Sequence, residues 1–387
     1  MDSSNRSGTF IKQPYDYTAF IPKTLPPDPP LTIDFEIMTL LSKADRCLGR
    51  LDGITQTLPN PDLFVAMYVK KEAVLSSQIE GTQASLIDIL DVSDPKSNEK
   101  VKDVEEVINY IHAMNYGLSR LKELPLSLRL FREIHEILLS GVRGCERSPG
   151  EFRSSQNWIG PPGCTLSTAV FVPPPPHEML TALGELEKYF HSSDDIPPLI
   201  KIGLIHAQFE TIHPFLDGNG RMGRLLITFW LCQQEILSQP LLYISYYFKM
   251  NKIEYYDRLM AVRKRGDWED WIKFFLKGLA EVSAESTDTA KRILKMKEDH
   301  SKLVNTSVKN PANGLKLLEI LFEHPVITIN FVSQELSVSY PTANVLVSEF
   351  CELGILHHGS TAQRNRKYIY SSYVDILQAG TELTEKL

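Results

Sequence analysis

From Ile33 onward, apolar residues recur at three- and four-residue spacing, the period of a helix with one buried face. The stretch 33–53 ends in Gly53, and 61–81 runs from Pro61 near its start to Gly81 at its end. Both read as helices with ordinary punctuation. Further helices are predicted over 101–120, 127–141, 177–191, 197–211, 221–236, 252–262 and 267–298. Residues 1–34 read as irregular, with a proline-rich extended arm at 24–32. One region of the central body reads as a hairpin: 157–176, two short β-prone pieces around a Gly/Pro turn, stopped by four prolines.

After about residue 300 the pattern changes. Segments 314–324, 329–337 and 340–356 read as short helices, and 357–372 as a hairpin. Three helices plus a β-wing is the winged helix-turn-helix pattern. The chain therefore reads as mainly α in three parts: an arm and helix over 1–60, a helical body over 61–298 and a winged helix over 305–387.

A length of 387 residues suits two or three domains. A net charge of −7 argues against wholesale coating of nucleic acid. Residues 313–372 hold four Lys/Arg against five Asp/Glu, although Arg364, Arg366 and Lys367 cluster on the wing, and Asn344 and Ser348 lie on the second helix of the motif. DNA binding and protein docking or dimerisation both stay open for this module. Five scattered cysteines, a polar N-terminus and the lack of a long apolar run lead us to expect a cytoplasmic protein with reduced thiols and no membrane span.

The chemistry concentrates in HPFLDGNGRMGR, residues 213–224, between two strongly helical stretches. Gly218 and Gly220 permit a tight turn and close approach to a ligand. Asn219 tolerates unusual backbone angles and carries an amide. A helix starting near Arg221 points free N–H groups and its positive end into the loop, which makes an anion cradle. Arg221 and Arg224 share a face and suit a polyphosphate. Asp217 offers a hard oxygen for Mg²⁺, and His213 can accept a proton. His206, Glu210 and His213 also raise a zinc reading, but no HExxH is present and the histidines lie two turns apart, so His206 reads as structural.

This loop matches the Fic motif HPFx[DE]GNGRxxR at every fixed position, and the chain resembles that family. Segments 71–83, 149–160, 169–176 and 245–259 also resemble bacterial Fic proteins that carry an N-terminal regulatory helix and often a C-terminal winged helix. The resemblance implies a Fic-type helical bundle with a β-hairpin flap, acting as a protein adenylyltransferase. His213 would deprotonate a target hydroxyl, which attacks the α-phosphorus of ATP. Asp217 would hold Mg²⁺. Gly218, Asn219 and Gly220 would cradle phosphates, Arg221 would face the β-phosphate and Arg224 the γ-phosphate. Tyr247, Asn251 and Tyr255 would lie against adenine, and the flap at 157–172 would hold the target as an added strand.

Ser76 and Glu80 fit the family's inhibitory pattern [S/T]xxxE[G/N] within a helix of about 68–81, four residues apart on one face. The implied mechanism is a largely desolvated Glu80–Arg224 pair that withholds Arg224 from ATP. The competing reading is a DNA-binding transcriptional regulator that uses the same loop only to sense nucleotide; the intact His213 favours the enzyme. Some relatives remove AMP with the helix glutamate, here Glu80.

Overall fold

The structure, a computed structural model, describes residues 5–14, 16–56, 61–90, 98–359 and 366–382. The side chains of 56, 61–63 and 98–101 are outside this description. The chain opens with a hairpin of β1 (Gly8–Gln13) and β2 (Tyr17–Pro22), in which Phe10 opposes Phe20. This corrects the irregular reading of 1–34. The β-prone residues of Tyr17–Pro22 gain a core anchor, because Phe20 is fully buried and packs on Phe171. Four helices follow: α1 (Phe35–Gln56), α2 (Pro61–Ile79), α3 (Leu86–Leu90) and α4 (Asn98–Arg120). Helix α1 continues through Gly53, where the predicted stop fails; the helix has a long partner to lie along, which outweighs the weak propensity of one glycine.

The body continues with α5 (Leu128–Leu138), α6 (Pro176–Phe190), α7 (Pro198–Ile212), α8 (Asn219–Gln233), α9 (Ser245–Met250), α10 (Lys252–Arg265) and α11 (Trp268–Ser307). Helix α7 is buried from Leu199 to Ile212, so it is the hub of the bundle and not a surface helix. That placement forces its polar residues to find partners. Lys201 reaches outward to Asp194, at 2.9 Å. His206 Nδ1 meets the Gly223 carbonyl at 3.0 Å and its Nε2 meets the Tyr255 hydroxyl at 2.9 Å, which makes His206 a structural histidine. Helix α8 crosses α7 where Gly223 allows close approach; a Cβ there would lie 2.5 Å from Glu210 Oε1.

Helix α11, about 60 Å long at 1.5 Å per residue, packs against α1, α7, α9 and α10 and then against the C-terminal module. It runs nine residues beyond its predicted end at 298, because Val304 remains buried under the next helix. The module comprises α12 (Pro311–Glu323), β3 (Val326–Thr328), α13 (Ile329–Glu335), α14 (Tyr340–Glu352), β4 (His357–His358), β5 (Lys367–Ile369) and α15 (Ser371–Gln378). Its sheet order is β3-β5-β4, all antiparallel. The unanticipated α15 folds back onto α2, α3 and α11. Among the described residues no helix is long and apolar enough to cross a membrane.

Candidate active site

The loop 213–218 joins the buried helices α7 and α8. His213 caps α7 in the left-handed region, at φ 50 and ψ 61, and turns the chain out of the helix. Gly218 precedes α8 with φ 75, a conformation open to glycine. Helix α8 has no side-chain cap, and its first bond runs from Met222 N–H to the Gly218 carbonyl. The N–H groups of Asn219, Gly220 and Arg221 are therefore left without an intrahelical partner.

The loop is stapled from several elements. Asn219 spends its amide on Phe215: Oδ1 accepts from the Phe215 N–H and Nδ2 donates to its carbonyl, both at 2.8 Å. The side chain is thereby held on the loop backbone, and the Asn219 backbone N–H stays free for an anion. Arg153 Nε and Asn157 Nδ2 both donate to the His213 carbonyl, at 3.0 and 3.1 Å. His135, fully buried, accepts the Gly150 N–H at Nδ1, so its Nε2 carries the proton and donates to the Asp217 carbonyl at 3.0 Å. Its ring stacks on Phe215 with centroids 3.7 Å apart. Burial pushes the His135 pKa down to about 4. Arg153 and Asn157 fall in the segment 149–160 that carried part of the resemblance; nothing local marked His135.

Helix α8 buries both arginines to 1% exposure. Arg221 lies 3.8 Å from each of Glu106 and Asp217, and its Nε and Nη1 make no hydrogen bond. Arg224 Nε donates to Ser76 Oγ at 2.8 Å, and its Nη2 donates to the Ser76 carbonyl at 3.0 Å and to Glu80 Oε1 at 2.7 Å. The expected pair is thus present, but desolvated on one side only: the Glu80 side chain keeps 32% exposure. Burial pushes the Glu80 carboxyl up; Arg224, with Arg221 and Lys252, outweighs it and holds the group below the usual carboxylate range.

Glu80, Glu210, His213, Gly220 and Arg224 line one wall of a cavity of about 680 Å³. Helix α10 contributes Lys252, Tyr255, Tyr256 and Arg263, and the segment 158–171 closes the remaining side. Tyr247 and Asn251 stand apart from this lining; Asn251 Nδ2 donates to the Tyr247 carbonyl at 2.9 Å, and the Tyr247 ring packs on Phe274. His213 is held neutral, with a pKa of about 3, by burial first and then by the cations Arg263 and Arg153. Its lone pair is therefore available, but it is a weak base until negative charge enters the cavity.

Sequence reasoning weighed Glu210 only as a zinc ligand and missed Glu72. Each is buried, and desolvation raises each pKa to about 7. Glu72 receives Ser245 Oγ and N–H and the Tyr110 hydroxyl. The expected flap hairpin is a single bridge, Ile159 to Phe171, and not a ladder. Pro161 and Pro162 lack N–H donors, as do the four prolines at the far end, so the pairing cannot propagate. Strand β2 steadies the exit instead, through Phe20 N–H to the Val172 carbonyl at 2.9 Å.

Asp217 uses Oδ1 to accept the Gly218 N–H at 2.6 Å, while its Oδ2 carries no hydrogen bond. A Mg²⁺ held by one carboxylate and by substrate phosphates fits that donor set. No group of three His, Cys, Asp or Glu able to hold a metal occurs among the described residues, which leaves the zinc reading without support. On the C-terminal module, Arg366 is exposed and Ser348 Oγ donates to the Asn344 carbonyl. Arg364 lies outside the described residues.

Residues 38–119 match the model of the Fic/DOC family N-terminal region, and residues 125–231 match that of the Fic/DOC family. The chain carries a Fic/DOC family domain at residues 125–231, preceded by that family's N-terminal region. The Fic match ends inside α8, so it contains the whole loop from His213 to Arg224. Similar curated proteins include the protein adenylyltransferase Fic of Drosophila grimshawi, 28% identical over 216 residues, or 53% of this chain and 41% of that protein. A probable protein adenylyltransferase of Aquifex aeolicus is 29% identical over 184 residues, covering 45% of this chain and 51% of that protein. The chain thus spans about half, or less, of these relatives' length. Among solved structures, a Fic family protein from Desulfovibrio desulfuricans G20 has a TM-score of 0.58 at 20% identity, covering 88% of this chain and 97% of that one. This likeness shows the Fic fold extending well beyond the two matched regions.

Proposed function

We propose that this protein transfers AMP from ATP to a Tyr, Thr or Ser hydroxyl of a target protein and of itself, and that Glu80 restrains it by occupying Arg224. The supporting observation is convergence: an imidazole, the open N-terminus of α8 and a buried guanidinium meet at one cavity. The adenylyltransferase relatives add the reaction type.

In this reading the α- and β-phosphates lie on the N–H groups of Asn219, Gly220 and Arg221, where the helix dipole favours anions. Arg221 neutralises the β-phosphate. Arg224 grips the γ-phosphate once Glu80 has withdrawn. Phosphate charge near His213 counters Arg153 and Arg263 and raises the basicity of the ring. His213 Nε2 takes the hydroxyl proton, the oxygen attacks the α-phosphorus, and pyrophosphate leaves. Asp217 would hold Mg²⁺, which would supply charge neutralisation to the phosphates. Tyr255, on the cavity wall, is the strongest member of the adenine-side set; Tyr247 and Asn251 are not among the lining residues. The target segment docks against the exposed Trp158 and Val170 of the flap.

The test is intact mass spectrometry of Glu80→Gly after incubation with ATP and Mg²⁺. A gain of one AMP, faster than in the parent, is expected; no gain overturns the reading.

A further inference from the structure

The cavity wall holds a second carboxylate with no assigned role. Glu210 is 6% exposed, and its Oε1 makes no hydrogen bond. His213, one turn on, has a buried Nδ1 that also makes none. The two side chains face each other, with Glu210 Oε2 3.9 Å from His213 Nδ1. The other acceptor near Nδ1 is the Glu210 backbone carbonyl, which already receives Arg263 Nη2 at 2.9 Å. Two buried polar atoms left unpartnered are a cost to the fold. A shift of about 1 Å brings them to hydrogen-bond distance.

We propose that Glu210 is a positioning residue for His213, its carboxylate receiving the Nδ1–H so that Nε2 is turned toward the incoming hydroxyl. This rests on the transfer reading above. The proton balance is simple. The hydroxyl proton goes to Nε2 and stays on the imidazole; Glu210 remains the anion beside the imidazolium and takes no proton. The groups facing Glu210 are Arg224 on α8, Arg263 and the Tyr255 hydroxyl on α10, His213 on its own helix and Glu80 beyond α2. The arginines favour its ionised form, and Glu80 opposes it. Withdrawal of Glu80 thus frees Arg224 and also favours the ionised Glu210 that His213 requires.

The experiment compares Glu80→Gly with Glu80→Gly/Glu210→Gln and Glu80→Gly/Glu210→Asp. The glutamine variant should lower kcat at least about tenfold, a part of the roughly 10²–10⁴-fold that a general base supplies, with KM for ATP changed less than about twofold. The aspartate variant should recover part of kcat. Unchanged kcat in the glutamine variant, or kcat and KM falling together with the melting temperature, overturns the assignment. An inactive Glu80→Gly single variant would instead sink the transfer reading.

A different set of contacts bears on what holds the brake shut. Gln78, two residues before Glu80, donates through Nε2 to the Thr381 carbonyl at 3.0 Å and accepts Lys249 Nζ at Oε1 at 2.8 Å. Lys249 Nζ also donates to the carbonyls of Gly380 and Glu382, at 3.4 and 2.6 Å. Gly380, at φ 83, lies flat on Tyr246, where a Cβ would sit 2.2 Å from a ring carbon. We infer that the segment 380–382 is a latch on the last turn of α2, so that displacement of the C-terminal module releases Glu80. Gly380→Val and deletion of 380–387 should each raise ATP-dependent self-modification above the parent, toward the Glu80→Gly rate. Parent-level rates in both variants, with Glu80→Gly active, overturn the latch.

Discussion

Glu80 Oε1 lies 2.7 Å from Arg224 Nη2, and a Cβ on Gly220 would sit 2.3 Å from that same oxygen. The motif glycine is therefore the gap through which the carboxylate just beyond α2 reaches the arginine. In the proposed reading, substrate and inhibitor would compete for one guanidinium by one route.

Glu80→Gly should cost stability while raising activity. Breaking a fully buried pair costs about 3–5 kcal/mol, but Glu80 is a third exposed and Arg224 keeps both Ser76 contacts, so roughly 1–2 kcal/mol is expected. Urea unfolding measures it. A variant as stable as the parent would mean that the pair contributes nothing to the fold.

Ser76→Ala removes the Oγ that accepts Arg224 Nε. A hydrogen bond to a charged group contributes about 1.5 kcal/mol, so self-modification should rise about tenfold, less than in Glu80→Gly. Rates no higher than the parent's would count against a role for Ser76 in holding Arg224.

His213→Ala should abolish transfer yet leave ATP affinity within a few-fold, measured by calorimetry in the Glu80→Gly background. The ring is neutral and offers the nucleotide no charge. A large loss of affinity would make His213 a binding residue instead.

His135 supplies a pH dependence. Its folded pKa of about 4 lies below the unfolded value of 6.5, so the folded state binds fewer protons between the two. Its contribution is complete above pH 6.5 and is lost as the pH falls toward 4. Protonating Nδ1 would also break its bond with the Gly150 N–H. Between pH 7 and pH 5 the parent should lose about 2 kcal/mol more than His135→Asn. Parallel pH profiles in urea would rule this out.

The helical body was legible because its apolar period is strong and local. Where the prediction failed, a distant partner decided the outcome. Helix α1 passes Gly53 because it lies along α11, and Tyr17–Pro22 becomes a strand because Phe20 finds Phe171. The flap shortens to one bridge because its prolines cannot donate.

The contiguous run from His213 to Arg224 determined by itself that a glycine turn, two arginines and an imidazole would meet at a helix start, since all are neighbours along the chain. Tertiary structure alone decided that α7 is the hub, which buries Glu210 beside His213. It alone brought Arg153 to the His213 carbonyl across 60 positions; the Glu80–Arg224 contact, across 144, was expected from the family resemblance and not from the spacing of the residues. Periodicity reports which face of a helix is apolar; it carries no information about which distant side chain that face will meet, because that choice is made by packing.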